Sequence, residues 1–232
     1  MTKADIQKEK KTAGEKAAEI ITDNMTVGIG TGSTVYYSIQ KIGEMIKDGL
    51  KIKCVSTSNE TTKLALSLKI PLVSLNEIEN IDLTIDGADE VDPDLNGIKG
   101  GGGALLFEKI VALNSKEIIW VIDSTKRVKK LGKFPLPVEV LPFGYNSLLE
   151  KLAAGNFNPV LRKTNNEFYV SDSGNYIIDL HLNEINNPLK LHEQLKAMTG
   201  VVETGLFINL AGRLIVATKD KVDIIERNKV KK

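Results

Sequence analysis

From residue 4 to residue 122, helix-spaced apolar positions alternate with short β-branched runs, and few folds are compatible with that rhythm. Residues 4–21, 33–47, 59–68 and 104–113 read as helices, and residues 25–30, 51–56, 81–85 and 117–122 as strands. Strands separated by helices pair in parallel, with helices on both faces of the sheet, so this part is expected to be Rossmann-like and doubly wound. In such sheets ligands sit beyond the carboxyl ends of the strands. Two turns of special composition, GIGTGST at 28–34 and DGADE at 86–90, fall on that rim.

The rhythm stops at FPLPVEVLP, which holds Pro135, Pro137 and Pro142. Beyond it come a strand, a helix at 145–154 ended by Gly155, and strands at 159–163, 168–170 and 176–182 around an SDSGN turn. A helix at 188–198 and a strand at 201–207 complete the series. With the short middle pieces merged, this is a ferredoxin-like β-α-β-β-α-β unit. LIVAT at 214–218 reads as a strand rejoining the first domain. The expected fold class is α/β: a Rossmann-like parallel-sheet domain, residues 1–131 and 204–232, with a smaller ferredoxin-like α+β lid domain, residues 132–203. The closing KVKK reads as a solvated tail.

Lys plus Arg (31) nearly balance Asp plus Glu (30), so no global field draws this chain to nucleic acid or to an anionic membrane. No segment is apolar for long enough to span a bilayer, and the N-terminus lacks the apolar stretch of a secretory signal. The single cysteine, Cys54, rules out an internal disulfide and fits a reducing compartment, so the expected location is the cytoplasm.

GIGTGST offers backbone N–H groups and the hydroxyls of Thr31, Ser33 and Thr34 at the start of a helix, which suits a phosphate. A capped helix start with glycines for tight packing uses the same residues. The dinucleotide fingerprint fails, because Ser33 stands where the third glycine belongs and the second strand ends in Ser-Thr-Ser with no acid for a ribose. No GxxxxGK[ST] occurs.

IDGADE, IKGGGG and a following helix place Asp86, Asp89 and Glu108 with Lys99 around four consecutive glycines, Gly100 to Gly103. Such a run costs backbone entropy and supplies no packing, so it makes sense where backbone must approach a ligand closely. Lys99 shares a short loop with the acids, which favours function over solvation, and Lys126 in DSTK falls on the same rim. Lys10 and Lys11 could reach a phosphate, but within a run of charges a solvated face is the favoured reading. His181 and His192 lie in neither cluster and receive no catalytic role. The stretch Asp92, Asp94, Asn96, Gly97 starts like a calcium loop, but its twelfth position is Gly103 rather than Glu, so it reads as a polar turn. Magnesium on Asp86, Asp89 and Glu90 is a minor alternative to a metal-free site.

Together GIGTGST, TIDGADEVDP, IKGGGGALLFEKI and GKFPLPVEVLPFG, with the late GVVETGLF, resemble ribose-5-phosphate isomerases of the A type, nearly from end to end. The resemblance implies an aldose–ketose isomerase that interconverts ribose 5-phosphate and ribulose 5-phosphate without a cofactor, as a homodimer or homotetramer. It implies substrate binding by Thr31, Gly32, Ser33 and Thr34, by Asp86, Gly87, Ala88 and Asp89, by Lys99, Gly100, Gly101 and Gly102, and by Lys126. It also implies that Glu108 is the base. Ring opening then falls to Asp86 with Asp89, and stabilisation of the oxyanion to Lys99 and the N–H groups of Gly100 to Gly102. Phe107 departs from the polar or basic residue usual before that Glu. Amino-sugar phosphate deaminases and CoA transferases have a similar main domain, but DGADE followed by KGGGG argues against both. A sugar-phosphate sensor would have no use for a full set of catalytic acids.

Overall fold

The computed structural model describes residues 1–219 and 221–227, so the tail expected at KVKK lies outside the described residues. Two compact units emerge. The first comprises residues 1–88, 107–127 and 209 onward, and the second residues 89–106 and 128–208. The chain therefore passes from one unit to the other four times.

The first unit holds a six-stranded sheet in the order Val222–Glu226, Arg213–Ala217, Ser115–Asp123, Ile81–Gly87, Thr26–Ile29, Lys53–Ser56. Every pairing is parallel except that of the edge strand Val222–Glu226. The sequence reading did not include that strand. Helices cover the sheet, so Ile81–Gly87 is buried at six of its seven positions, as a parallel strand must be when both faces are packed. Val27, Ile29, Leu83, Ile85, Ile119, Val121 and Ile215 form the core with Ile39 and Ile42 of the helix Val35–Lys47. Each such side chain contributes roughly 1.5–3 kcal/mol by leaving water. From Thr26–Ile29 the chain moves outward to Lys53–Ser56 and then returns to the other side as Ile81–Gly87. The carboxyl ends of Thr26–Ile29 and Ile81–Gly87 thus flank a topological switch point, the place where open α/β sheets bind ligands.

The second unit carries a four-stranded antiparallel sheet in the order Val201–Thr204, Leu136–Val140, Tyr176–Leu180, Pro159–Leu161. Its helices are Tyr145–Ala154 and Pro188–Lys196, which completes the expected β-α-β-β-α-β order. Asn187 caps the second helix by accepting from Lys190 N at 3.0 Å, with Pro188 at the first helical position. The first helix ends at Gly155, but the left-handed residue there is Asn156, at φ 60°.

The strand expected over residues 201–207 is two strands in different sheets. Val201–Thr204 belongs to the four-stranded sheet, whereas Leu206–Phe207 pairs with Gly97–Ile98 in a three-stranded sheet completed by Glu90–Val91. The break is Gly205, where an added Cβ would lie 2.3 Å from the carbonyl oxygen of Lys99. The backbones touch there: Lys99 N–H donates to Gly205 O at 2.9 Å, and Gly205 N–H to Pro137 O at 2.7 Å.

Cys54 is fully buried in the Lys53–Ser56 strand, and burial pushes its thiol up to about 12. Without thiolate it is a poor nucleophile. The folded protein is expected to resist iodoacetamide at pH 8 and to react stoichiometrically in guanidinium, as mass spectrometry would read; labelling of the native state would contradict this burial.

Candidate active site

In the first unit the site residues gather at the switch point. Asp86, 1% exposed, is the penultimate residue of its strand, with Oδ1 accepting the Thr31 N–H at 3.1 Å and the Gly87 N–H at 2.7 Å. One carboxylate oxygen therefore ties the turn after Thr26–Ile29 to the end of the strand Ile81–Gly87. Gly30 permits this approach, since a Cβ there would lie 2.0 Å from Asp86 Oδ1. Gly87 packs against the same turn, and Ala88 follows it half-buried.

The Thr31 hydroxyl lies 2.8 Å from both Thr57 Oγ1 and Ser58 Oγ, and 3.1 Å from Thr61 Oγ1. Thr61 Oγ1 in turn donates to Gly30 O at 2.8 Å. Where a ribose-binding acid would stand, Thr57 and Ser58 join Thr61 in a hydroxyl cluster that braces the glycine turn, while Ser56 Oγ lies 2.6 Å from Thr62 Oγ1. Thr31 makes its bonds inward, while Gly32 and Ser33 are exposed and the buried Thr34 precedes the helix Val35–Lys47. The first turn of that helix contains no acid, so its N–H groups present a positive end suited to an anion.

The N-terminal helix Lys3–Ala18 contributes residues that the sequence reading did not place. Lys10 Nζ donates to Ser33 Oγ at 2.9 Å, which sets a cation beside the turn, whereas Lys11 pairs with Glu15 at 3.8 Å. Glu9, 2% exposed, accepts from Ser124 N–H and Oγ at 3.0 and 2.7 Å, anchoring the short 3-10 turn Ser124–Lys126 that carries the half-buried Lys126. Within the run KEKK, only which side of the helix each residue lies on separates Lys10 from a solvated lysine. Glu108, 4% exposed, lies in the first turn of the helix Leu105–Leu113. Phe107, just before it, is half-buried.

In the second unit, Asp89 and the segment Lys99 to Gly102 form their own group. Asp89 Oδ2 accepts the Gly101 N–H at 2.8 Å. Lys99 is 2% exposed, with its ammonium 5.3 Å from the centroid of the Phe207 ring. Gly100 is buried, and Gly101 and Gly102 are exposed. Glu90 has a structural task, accepting the N–H groups of Gly132 and Phe134 at 2.7 Å each. Among the described residues, no group of three or more His, Cys, Asp or Glu side chains is placed to hold a metal ion. Asp92 closes its own turn, accepting from Asp94 N–H at 2.9 Å, Asn96 N–H at 2.8 Å and Asn96 Nδ2 at 3.1 Å. His192 Nδ1 lies 2.7 Å from Thr204 Oγ1.

Residues 53–221 match the family model for ribose 5-phosphate isomerase A, also called phosphoriboisomerase A. The chain belongs to the ribose 5-phosphate isomerase A family. It is 53% identical over 219 residues to the ribose-5-phosphate isomerase A of Streptococcus thermophilus, covering 94% of this chain and 97% of that one. The corresponding Lactiplantibacillus plantarum protein is 50% identical over 218 residues, covering 94% and 96%. Among solved structures, a D-ribose-5-phosphate isomerase in complex with phospho-erythronic acid is similar at TM-score 0.93 and 39% identity, covering 96% of this chain and 99% of that one. The Plasmodium falciparum ribose 5-phosphate isomerase is similar at 0.92 and 38%, with coverage of 96% and 99%.

A methyl group at Gly30 would overlap the Asp86 carboxylate. Gly30→Ala is expected to cost about 1–3 kcal/mol in urea unfolding, the usual range for overpacking a tight site. Unchanged stability would mean that Asp86 does not hold the turn this closely.

Proposed function

We propose that this protein interconverts D-ribose 5-phosphate and D-ribulose 5-phosphate through an enediolate, in the non-oxidative branch of the pentose phosphate pathway. The observation that carries this reading is family membership, with the family model matching residues 53–221 and a ribose-5-phosphate isomerase A 53% identical over 219 residues. A cytoplasmic homodimer or homotetramer accompanies it. Among the described residues no helix is long and apolar enough to cross a membrane.

In this reading Gly32, Ser33 and Thr34 supply N–H and hydroxyl donors to the phosphate, with Lys10 and Lys126 as cations, and Thr31 holds the loop. Phosphate bound far from the reacting carbons orients the sugar without reacting itself. Asp86, with Asp89, moves the proton from the anomeric hydroxyl to the ring oxygen and opens the ring. Glu108 removes the proton from C2 and returns it to C1, while a proton passes between O2 and O1. General-base help of this kind is worth on the order of 100- to 10,000-fold. Lys99 and peptide N–H groups of the glycine turn take the developing negative charge, at roughly 100- to 1,000-fold per donor. Because the Gly101 N–H is engaged by Asp89, the peptide donors assigned to the oxyanion are those of Gly100 and Gly102.

Glu108→Gln keeps shape and removes the base. Its kcat should fall by roughly 100- to 10,000-fold, with thermal stability and binding of inorganic phosphate near those of the wild type. Near-normal turnover in this variant would remove Glu108 from the base role.

A further inference from the structure

Three successive carbonyls of the glycine turn are gripped by two side chains that none of the recognised motifs contains. Arg162 lies between the strands Pro159–Leu161 and Lys163–Thr164. Its Nε donates to Asp179 Oδ2 at 2.8 Å and its Nη2 to Asp179 Oδ1. The remaining nitrogen, Nη1, donates to Gly100 O at 2.9 Å and to Gly101 O at 3.1 Å. Tyr169, whose ring centroid is 5.6 Å from the guanidinium carbon, donates its hydroxyl to Gly102 O at 3.0 Å. The ion pair is largely shielded, with side-chain exposures of 14% for Arg162 and 17% for Asp179.

In a trans peptide the C=O of one residue and the N–H of the next point in opposite directions. Holding Gly100 O therefore aims the Gly101 N–H away from the arginine, and that N–H meets Asp89. By the same geometry, the hold on Gly101 O aims the Gly102 N–H. Within the run, Gly103 N–H holds Gly100 O at 2.9 Å. Glycines populate both signs of φ with similar ease, so the side chains are what keep the Gly101 and Gly102 carbonyls from flipping. Asp179 already neutralises the guanidinium, so what Arg162 adds is a rigid fork more than a charge. A lysine ammonium cannot reproduce that fork.

We propose that Arg162, fixed by Asp179 and assisted by Tyr169, is a positioning residue that holds the glycine turn in the one orientation able to receive the enediolate oxygen. This inference rests on the isomerase reading given above. Its test combines steady-state kinetics with ribose 5-phosphate and binding of two probes. Phospho-erythronic acid, with its planar anionic carboxylate, imitates the enediolate, and inorganic phosphate reports the phosphate site alone. For Arg162→Lys, kcat should fall about 100-fold with KM within about twofold of the wild type. Affinity for phospho-erythronic acid should fall by a similar factor, and affinity for inorganic phosphate should not change.

Tyr169→Phe removes one hydroxyl with little threat to folding, and should lower kcat about fivefold through the loss of a single hydrogen bond. If folded Arg162→Lys and Tyr169→Phe turn over like the wild type, the positioning role is wrong. It is equally wrong if activity falls only in proportion to the unfolded fraction. A wild-type protein that does not convert ribose 5-phosphate would overturn the isomerase reading and this inference together, so the two failures are distinguishable.

Discussion

At the switch point of the sheet, one oxygen of Asp86 accepts the N–H of Thr31, from the turn after Thr26–Ile29, and the N–H of Gly87 at the end of its own strand. Much of the first unit's site geometry follows from that interaction. The carboxylate can sit there only because residue 30 has no side chain, and it stays there because the hydroxyls of Thr57, Ser58 and Thr61 brace Thr31 from behind. A buried carboxylate satisfied by backbone N–H groups is fixed in direction, as a group that must move a proton at a chosen atom has to be. The acid proposed for ring opening is thus also part of the scaffold of the phosphate turn.

The two glycine-rich segments solve different problems. In GIGTGST, Gly30 makes room for an acid and Gly32 leaves space at the end of a helix, so a phosphate could meet backbone N–H groups and a helix N-terminus at once. In KGGGG the peptides themselves are the proposed oxyanion donors, and each must be aimed. Arg162, Tyr169 and Asp89 do so from outside the run, which places the cost of rigidity on side chains that leave the exposed face of the turn open.

Periodic segments were legible in the sequence because period carries information over many residues. Apart from Val222–Glu226, the first-unit α-helices and strands lie within about three residues of their expected ends, as boundaries read from sequence usually do. Pieces of two residues, such as Glu90–Val91 and Gly97–Ile98, have no period to read, and the break at Gly205 depends on where the Lys99 carbonyl lies in space. The motif acids and glycines stood out by composition. Lys10 did not, since a lysine in a charged helix looks the same whether or not Ser33 lies opposite. Arg162 is 62 residues from the Gly100 carbonyl it holds, and only folding brings the two together.

The central claim is metal-independent proton transfer through an enediolate. It is tested most directly by incubating EDTA-treated protein with ribose 5-phosphate in deuterated water and following the sugars by NMR over many turnovers. The account predicts sustained conversion to ribulose 5-phosphate, with deuterium entering C1 of the ketose and C2 of the recovered aldose. Conversion that keeps the original C2 hydrogen throughout would mean direct hydride transfer, and conversion that stops with EDTA and returns with magnesium would mean a metal site; either result would contradict the account.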